Sequence, residues 1–177
     1  RFMARTKTVF EAMAAREGDP GRVLDRVNRS LCRDNDAGMF VTAVLGVLEL
    51  ASGEVTFASA GHDPPVLAPA SGDVHLVPGE GGRVLGLIEA SDFPVNRLRL
   101  APGDALVLYT DGVSEAQDGR GGFFGAERLV STTALLRGVP TAALTAGVLG
   151  SVRAFAGDAP QSDDITILTL RYLGPRS

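Results

Sequence analysis

The sequence predicts an α+β fold, with helices before and after a series of short antiparallel strands. Apolar residues recur at helical spacing near both ends of the chain, within residues 2–31 and 125–155. Short apolar segments separated by turn residues occupy the middle of the chain. The uncharged stretch 105–110 has the composition of a strand buried on both sides, and it leads directly into Asp111.

Two helices are predicted at the beginning of the chain. The first covers residues 2–17 and ends at Gly18, with one apolar face formed by Phe2, Val9, Phe10 and Met13. Asp19 followed by Pro20 is typical of a helix N-terminus. The second helix has its apolar stripe at Val23, Leu24, Val27 and Leu31. We expect both stripes to pack on a sheet.

Strands are predicted through the middle of the chain. Residues 39–50 are apolar on both faces, which favours a central strand, and a turn at residues 51–54 joins them to residues 55–60 as a hairpin. Shorter strands are predicted at 66–68 and 74–77. The glycine-rich stretch 78–82 lacks the Lys-Ser/Thr ending of a phosphate-binding loop and is interpreted as a connector.

The remaining elements complete the layered pattern. Arg97 and Arg99 alternate with leucines, which predicts a strand with one solvent-facing side, and residues 102–104 turn the chain into the buried strand. A polar turn is expected at 118–122. Helices are predicted at 125–136 and 140–155, followed by a β-branched strand at 165–170.

Composition excludes several classes of protein. A net charge of −4 in 177 residues argues against a nucleic-acid-binding surface, because phosphate contacts need clustered lysine and arginine. No apolar run approaches the roughly 20 residues that a membrane-spanning helix needs. The single cysteine, Cys32, excludes an internal disulfide and favours a reducing cytoplasm. We expect one domain over residues 1–177, with an opening helical pair at 1–36 and a sheet core with the later helices at 37–177.

Acidic residues flank two of the predicted strands. Asp111 and Gly112 follow the strand at 105–110, whereas Asp163 and Asp164 precede the strand at 165–170. If these strands are antiparallel neighbours, the carboxylates emerge at one edge of the sheet. Asp111 could cap a turn, pair with a cation or bind a metal, since a buried and unpaired carboxylate is costly. Clustered carboxylates without lysine or arginine make a Mg²⁺ or Mn²⁺ site the leading hypothesis.

These motifs carry a family resemblance. The segments 110–116 (Thr-Asp-Gly-Val-Ser-Glu-Ala), 123–129 (Phe-Phe-Gly-Ala-Glu-Arg-Leu) and 161–166 (Gln-Ser-Asp-Asp-Ile-Thr) resemble those of the bacterial sporulation stage II protein E type phosphatases. The segments 60–65 (Ala-Gly-His-Asp-Pro-Pro) and 102–104 (Pro-Gly-Asp) fit the same pattern. These proteins are relatives of the type 2C metal-dependent serine/threonine phosphatases.

The resemblance implies a four-layer α/β/β/α sandwich with two antiparallel sheets flanked by helices. It implies Mn²⁺ or Mg²⁺ as cofactor, with two ions in the complete domain and a metal-activated water in place of a side-chain nucleophile. By motif match Asp111 and Asp163 are metal ligands, while Gly112, Asp164 and His62 have supporting roles. His62 stands where type 2C relatives often have a metal-binding aspartate, and Asp63 stands where the closest relatives usually have asparagine.

The resemblance also implies a substrate and partners. The expected substrate is a phosphorylated anti-anti-sigma-type regulator, and the opening helices are expected to regulate the domain and to form a homodimer. A sensor domain and the family's first metal-binding segment are expected before Arg1, so we expect low turnover from residues 1–177 alone. Two alternatives stay open: a phosphatase-like binding module without activity, and another carboxylate-metal hydrolase. No nucleic-acid partner and no membrane insertion are expected.

Overall fold

The computed structural model describes residues 2–33 and 35–175. Within these residues the helices are α1 (Phe2–Ala14), α2 (Pro20–Cys32), α3 (Asp111–Ser114), α4 (Gly125–Leu135) and α5 (Thr141–Ala156). The strands are β1 (Ala43–Leu48), β2 (Glu54–Ala60), β3 (Val66–Ala68), β4 (His75–Leu76), β5 (Asn96–Arg99), β6 (Ala105–Tyr109) and β7 (Ile167–Arg171). No helix in the described ranges is long and apolar enough to cross a membrane.

The first of two compact units contains the chain up to Glu49, together with Glu54–His62 and Gly79–Arg99. Its antiparallel sheet has the order β1-β2-β5. The apolar stripe of α2 is buried against this sheet, and four half-buried side chains of α1 pack on the same core, as predicted: Phe2, Val9, Phe10 and Met13. The hairpin of β1 and β2 is also confirmed, with Leu48 paired to Val55.

Local sequence explains where α2 begins and which hydrogen bonds attach it to the rest of the first unit. The Asp19 carboxylate accepts a hydrogen bond from the Arg22 N–H at 2.9 Å, and Pro20 occupies the first helical position, as predicted. Asn28 is fully buried on the same helix, and its amide donates to the carbonyl oxygen of Ile88 at 2.8 Å. The buried polar group is therefore satisfied by the loop that follows residue 85.

The second unit contains Leu50–Gly53, Asp63–Pro78 and the chain from Leu100 onward. Its antiparallel sheet has the order β4-β3-β6-β7, so that β6 is an interior strand. Side chains of β3 and β6 form a core with Leu129 of α4 and Val148 of α5, all of them buried. The predicted buried strand at 105–110 and the predicted helices at 125–136 and 140–155 are confirmed, with ends that differ by one residue.

The α+β class, with two antiparallel sheets and flanking helices, is therefore confirmed, but some details of the prediction are wrong. Residues 39–50 do not form a central strand, because β1 lies at the edge of its sheet and pairs with β2 alone among the described strands. An apolar run indicates that neither face of a strand carries charge, but it does not indicate how many strands lie beside it. The first helix ends at Ala14, since the following turn tightens to a hydrogen bond from the Arg16 N–H to the Met13 carbonyl oxygen at 3.1 Å.

Candidate metal centre

The ends of β6 and β7 bring the two acidic motifs to one edge of the second unit's sheet. The strands are antiparallel, with Ala105 opposite Arg171 and Tyr109 opposite Ile167. Asp111 therefore leaves β6 at the same edge at which Asp163 and Asp164 approach β7. The predicted juxtaposition of the two motifs in the fold is confirmed.

Thr110 joins the two motifs through its side chain and its backbone. Its hydroxyl donates a hydrogen bond to the Asp164 carbonyl oxygen at 2.8 Å and accepts one from the Thr166 N–H at 2.9 Å. Its own N–H donates to the Thr166 carbonyl oxygen at 3.1 Å. The Thr110 side chain thus extends the pairing of β6 and β7 beyond the last regular backbone pair, Tyr109 and Ile167. This explains why β7 begins at Ile167 and not at the predicted residue 165.

Gly112 allows close approach of the two backbone segments. A Cβ atom at this position would lie 2.5 Å from the Asp164 carbonyl oxygen and 3.1 Å from that of Asp163. These distances are shorter than normal van der Waals contacts, so any side chain at residue 112 would push the segments apart. The need for glycine here is therefore steric.

The carboxylates of Asp111 and Asp163 have similar environments. Both residues are exposed. Oδ1 of Asp111 accepts from the Gly112 N–H at 2.9 Å, and Oδ1 of Asp163 accepts from the Asp164 N–H at 2.6 Å. Within the described part of the chain, neither carboxylate forms an ion pair. Asp111 avoids the cost of burying an unpaired carboxylate, because β6 ends at Tyr109 and the exposed Asp111 already begins α3.

The carboxylate oxygens of Asp111 and Asp163 are of the chemical type that divalent cations prefer. Two exposed carboxylates with oxygens free of ion pairs are suitable ligands for Mg²⁺ or Mn²⁺, and Mg²⁺ in proteins is often held by one or two carboxylates with water and phosphate as the other ligands. Across residues 2–33 and 35–175, however, no group of three or more histidine, cysteine, aspartate or glutamate side chains is arranged to hold a metal. The residues present therefore fit one ion better than two.

The supporting residues have different surroundings. Asp164 contributes its carbonyl oxygen to Thr110, a backbone contact that its sequence motif did not predict. His62 lies in the first unit, where the Ser59 hydroxyl donates to its carbonyl oxygen at 3.1 Å and its Nδ1 lies 3.4 Å from the Thr42 hydroxyl. The metal-related roles expected of Asp164 and His62 stay predictions.

One contact at this centre was not predicted from the sequence. The Ser114 hydroxyl, at the end of α3, donates to Oδ2 of Asp63 at 2.7 Å and lies 3.3 Å from the Asp111 carbonyl oxygen. In the sequence Asp63 is distinguished only by standing in place of an asparagine, and it lies 51 positions from Ser114, so the sequence conceals the contact. Burial, and secondarily the charge of Asp63, raise the pKa of Tyr109 to about 12. Asp63 is thus part of the polar network that borders α3.

Comparisons with known proteins agree with this architecture. Phosphoserine phosphatase RsbU of Bacillus subtilis (strain 168) is 29% identical over 119 residues, which are 67% of the chain and 36% of RsbU. The crystal structure of the RsbU and RsbW domains of Rv1364c from Mycobacterium tuberculosis matches with a TM-score of 0.85 and 26% identity, over 99% of the chain and 48% of that chain.

A third comparison shows the fold alone. The phosphatase domain of the cell fate determinant SpoIIE from Bacillus subtilis (Mn presoaked) matches with a TM-score of 0.62 and 17% identity, over 97% of the chain and 74% of that domain structure. The chain spans 15% to 36% of the length of three curated relatives that it matches. The family model for Stage II sporulation protein E (SpoIIE) matches residues 1–173. The chain therefore belongs to the SpoIIE family, with a fold shared by type 2C-like phosphatase domains.

Proposed function

We propose that this chain is a metal-dependent protein serine/threonine phosphatase. The observation that carries the proposal is the meeting of Asp111 and Asp163 at one sheet edge, where both carboxylates are exposed and neither has a cation partner among the described residues. Carboxylates brought together in this way repel one another unless a cation lies between them. The similarity to phosphoserine phosphatase RsbU supports hydrolysis of a phosphate monoester as the reaction.

Asp111 and Asp163 are the side chains that would hold the metal. A divalent ion held by these carboxylates would lower the pKa of a water molecule and offset the charge of the phosphate oxygens. The preference between Mn²⁺ and Mg²⁺ is not decided by carboxylate ligands, which accept both. The manganese-soaked SpoIIE phosphatase domain supports a divalent metal in a protein of this fold.

The surrounding residues position these ligands. Thr110 fixes the separation of the two motifs by its paired hydrogen bonds, and Gly112 permits the backbone contact. Ser114 links α3 to the Asp63 carboxylate. Since these contacts involve backbone atoms and short side chains, we expect them to restrict the motion of the segments that carry Asp111 and Asp163.

The proposed substrate class rests on similarity to relatives. We assign to this chain a phosphorylated regulator of the anti-anti-sigma type, acting in partner-switching signalling. The support is the similarity to RsbU and to the Rv1364c structure, in which an RsbU domain and an RsbW domain occur together.

A phosphate-release assay tests the proposed reaction. The protein, both as residues 1–177 and with any native sequence that precedes them, is incubated with a phosphoserine peptide in millimolar Mn²⁺. With the preceding native sequence present, we expect release of inorganic phosphate that disappears with EDTA and returns when Mn²⁺ is added in excess. From residues 1–177 alone we expect only slow release. Phosphate release that EDTA leaves unchanged would contradict metal dependence.

A phosphatase-like binding module without turnover is the second candidate. It is favoured by the absence, within the described ranges, of a group of three or more side chains that could hold a metal. The same preparations distinguish the candidates, because a binding module retains the phosphopeptide in a fluorescence anisotropy assay without releasing phosphate. Release of phosphate at rates well above background would exclude it.

Self-association through α1 is a further part of the proposal. Phe2, Val9, Phe10 and Met13 are only half-buried, and Met3 is 64% exposed. Exposed apolar helix surfaces favour association. We expect a homodimer by light scattering, and a Met3→Glu variant should reduce the dimer fraction. A monomer at high protein concentration would contradict this part of the proposal.

A further inference from the structure

A cavity of about 150 Å³ adjoins the candidate metal centre within the second unit. Gly112 and Ser162 are among its lining residues, and each is the sequence neighbour of a proposed metal ligand. The C-terminal part of α5 forms another side of the cavity. A phosphorylated residue held at Asp111 and Asp163 would therefore place its own sequence neighbours next to this cavity.

The lining of the cavity combines one positive charge with polar and apolar surfaces. Arg153, on α5, is the charged residue, and Gln117 and Gln161 add amide groups. The Gln161 amide is held in place by its hydrogen bond to the Asp163 carbonyl oxygen at 2.8 Å. Apolar surface comes from Ile165 and from the buried side chain of Val152. Among the described residues, none that lines the cavity is acidic.

Arg153 is available to an external ligand. Its side chain is exposed, and within residues 2–33 and 35–175 it forms no ion pair. In contrast, Arg128 on α4 is engaged by the carbonyl oxygens of Phe123 and Phe124 at 2.8 and 3.0 Å and stacks over the Phe155 ring. A guanidinium group beside amide donors is suited to a carboxylate, since all of these groups donate hydrogen bonds.

We propose that this cavity is a specificity subsite for an acidic side chain of the substrate. The inference rests on the proposed function and refines it by naming a feature of the phosphoprotein. The occupant is an aspartate or glutamate within two or three residues of the phosphorylated serine or threonine, because an extended chain advances only about 3.3 Å per residue. The Arg153 guanidinium binds its carboxylate, and Gln117 donates a further hydrogen bond.

The test compares peptides that differ only in the flanking charge. Fluorescent phosphoserine peptides carry glutamate or glutamine at each position from three residues before to three residues after the phosphoserine. Their affinities for the unaltered chain, Arg153→Gln and Arg22→Gln are measured by fluorescence anisotropy with Mn²⁺ present. Arg22 is an exposed arginine of α2, in the first unit, and its substitution makes the same change in net charge.

We expect one position at which the glutamate peptide binds about three- to tenfold more tightly than its glutamine counterpart, both to the unaltered chain and to Arg22→Gln. A difference of this size is typical of a partly exposed ion pair. Arg153→Gln should remove this difference. Equal affinities for all peptides, or a preference that persists in Arg153→Gln, would overturn the subsite. Hydrolysis of p-nitrophenyl phosphate, which has no flanking residues, is measured separately on the unaltered protein together with any native sequence that precedes residue 1, because low turnover is expected from residues 1–177 alone. Its absence, together with absence of peptide hydrolysis, would count against the proposed function, while the affinity comparison would still decide the subsite.

Discussion

Asp104 and Asp111 lie just before and just after β6 and use their carboxylates in different ways. Asp104 is 7% exposed, and its two oxygens accept hydrogen bonds from the N–H groups of Ala70 at 2.7 Å and Ala101 at 2.8 Å. Asp111 is exposed and accepts from the N–H of its neighbour Gly112. Among the described residues, no other donor reaches the Asp111 carboxylate.

The difference separates a structural carboxylate from one that is available for chemistry. Two backbone donors, one of them 34 residues away, hold Asp104 and so tie the start of β6 to the turn after β3. Asp111 keeps most of its lone pairs for a ligand, and Asp163 on the neighbouring segment has the same arrangement. The backbone segments that carry Asp111 and Asp163 lie close together, so it is the small number of internal partners that makes these two carboxylates candidates for a cation site.

The largest expected effect concerns the available carboxylate. Asp111→Asn keeps the shape of the side chain but removes the charge, so Mn²⁺ affinity should fall by more than about 100-fold, beyond the usual effect of altering an indirect partner of a metal. Electron paramagnetic resonance of free Mn²⁺ in the presence of the protein measures this affinity. Asp163→Asn should behave alike, and Asp164→Asn should have a smaller effect.

Thermal unfolding provides the control for this substitution. Asp111 is exposed, so the midpoint of unfolding without metal should change little in Asp111→Asn. Parental Mn²⁺ affinity in this variant would show that Asp111 is not a ligand and that its carboxylate is no more available to a metal than that of Asp104.

The second expected effect concerns the structural carboxylate. Asp104→Ala leaves the N–H groups of Ala70 and Ala101 without their acceptor and should lower the free energy of unfolding by about 2 kcal/mol. Urea denaturation measures this change. Asp104→Asn retains one acceptor oxygen and should have an intermediate effect. An unaltered free energy in Asp104→Ala would mean that water replaces the carboxylate at no cost.

Asp104 and Asp111 show which features of the fold can be predicted from the sequence and which cannot. Both lie beside a glycine at a boundary of one apolar run, so the sequence locates β6 and its edge but does not say which carboxylate has internal donors. That depends on Ala70, brought close only by the pairing of β3 with β6. The contact of Ser114 with Asp63 was missed for the same reason. Periodicity predicted α2, α4 and α5 well because their apolar stripes are themselves the buried faces.

The third expected effect concerns the close approach of the two backbone segments that carry the available carboxylates. In Gly112→Ala the new methyl group would lie 2.5 Å from the Asp164 carbonyl oxygen, so the segment before β7 must move. We expect a loss of about 1 to 3 kcal/mol in the free energy of unfolding, with weaker Mn²⁺ binding. Gly119→Ala is the matched control, because nothing lies within 4 Å of its added atom. Equal stability and metal affinity in the two variants would contradict the steric role of Gly112.

The smallest expected effect concerns Asp118, a carboxylate that, like Asp104, accepts hydrogen bonds from two backbone N–H groups. Its Oδ1 accepts from the N–H groups of Gly122 at 2.8 Å and Arg120 at 2.9 Å, and these hydrogen bonds hold the pKa of Asp118 below its usual value. A lowered pKa means that the carboxylate stabilises the folded state above the unfolded pKa of about 3.9, and that this contribution is lost as the pH falls through the folded value. In Asp118→Asn this part of the acid dependence should be absent, which unfolding midpoints at pH 7 and pH 3 can measure. Carbon-detected NMR titration measures the pKa of the Asp118 carboxyl group directly. A pKa at or above that of an ordinary aspartate would show that the turn at residues 118–122 does not depend on the charge of Asp118.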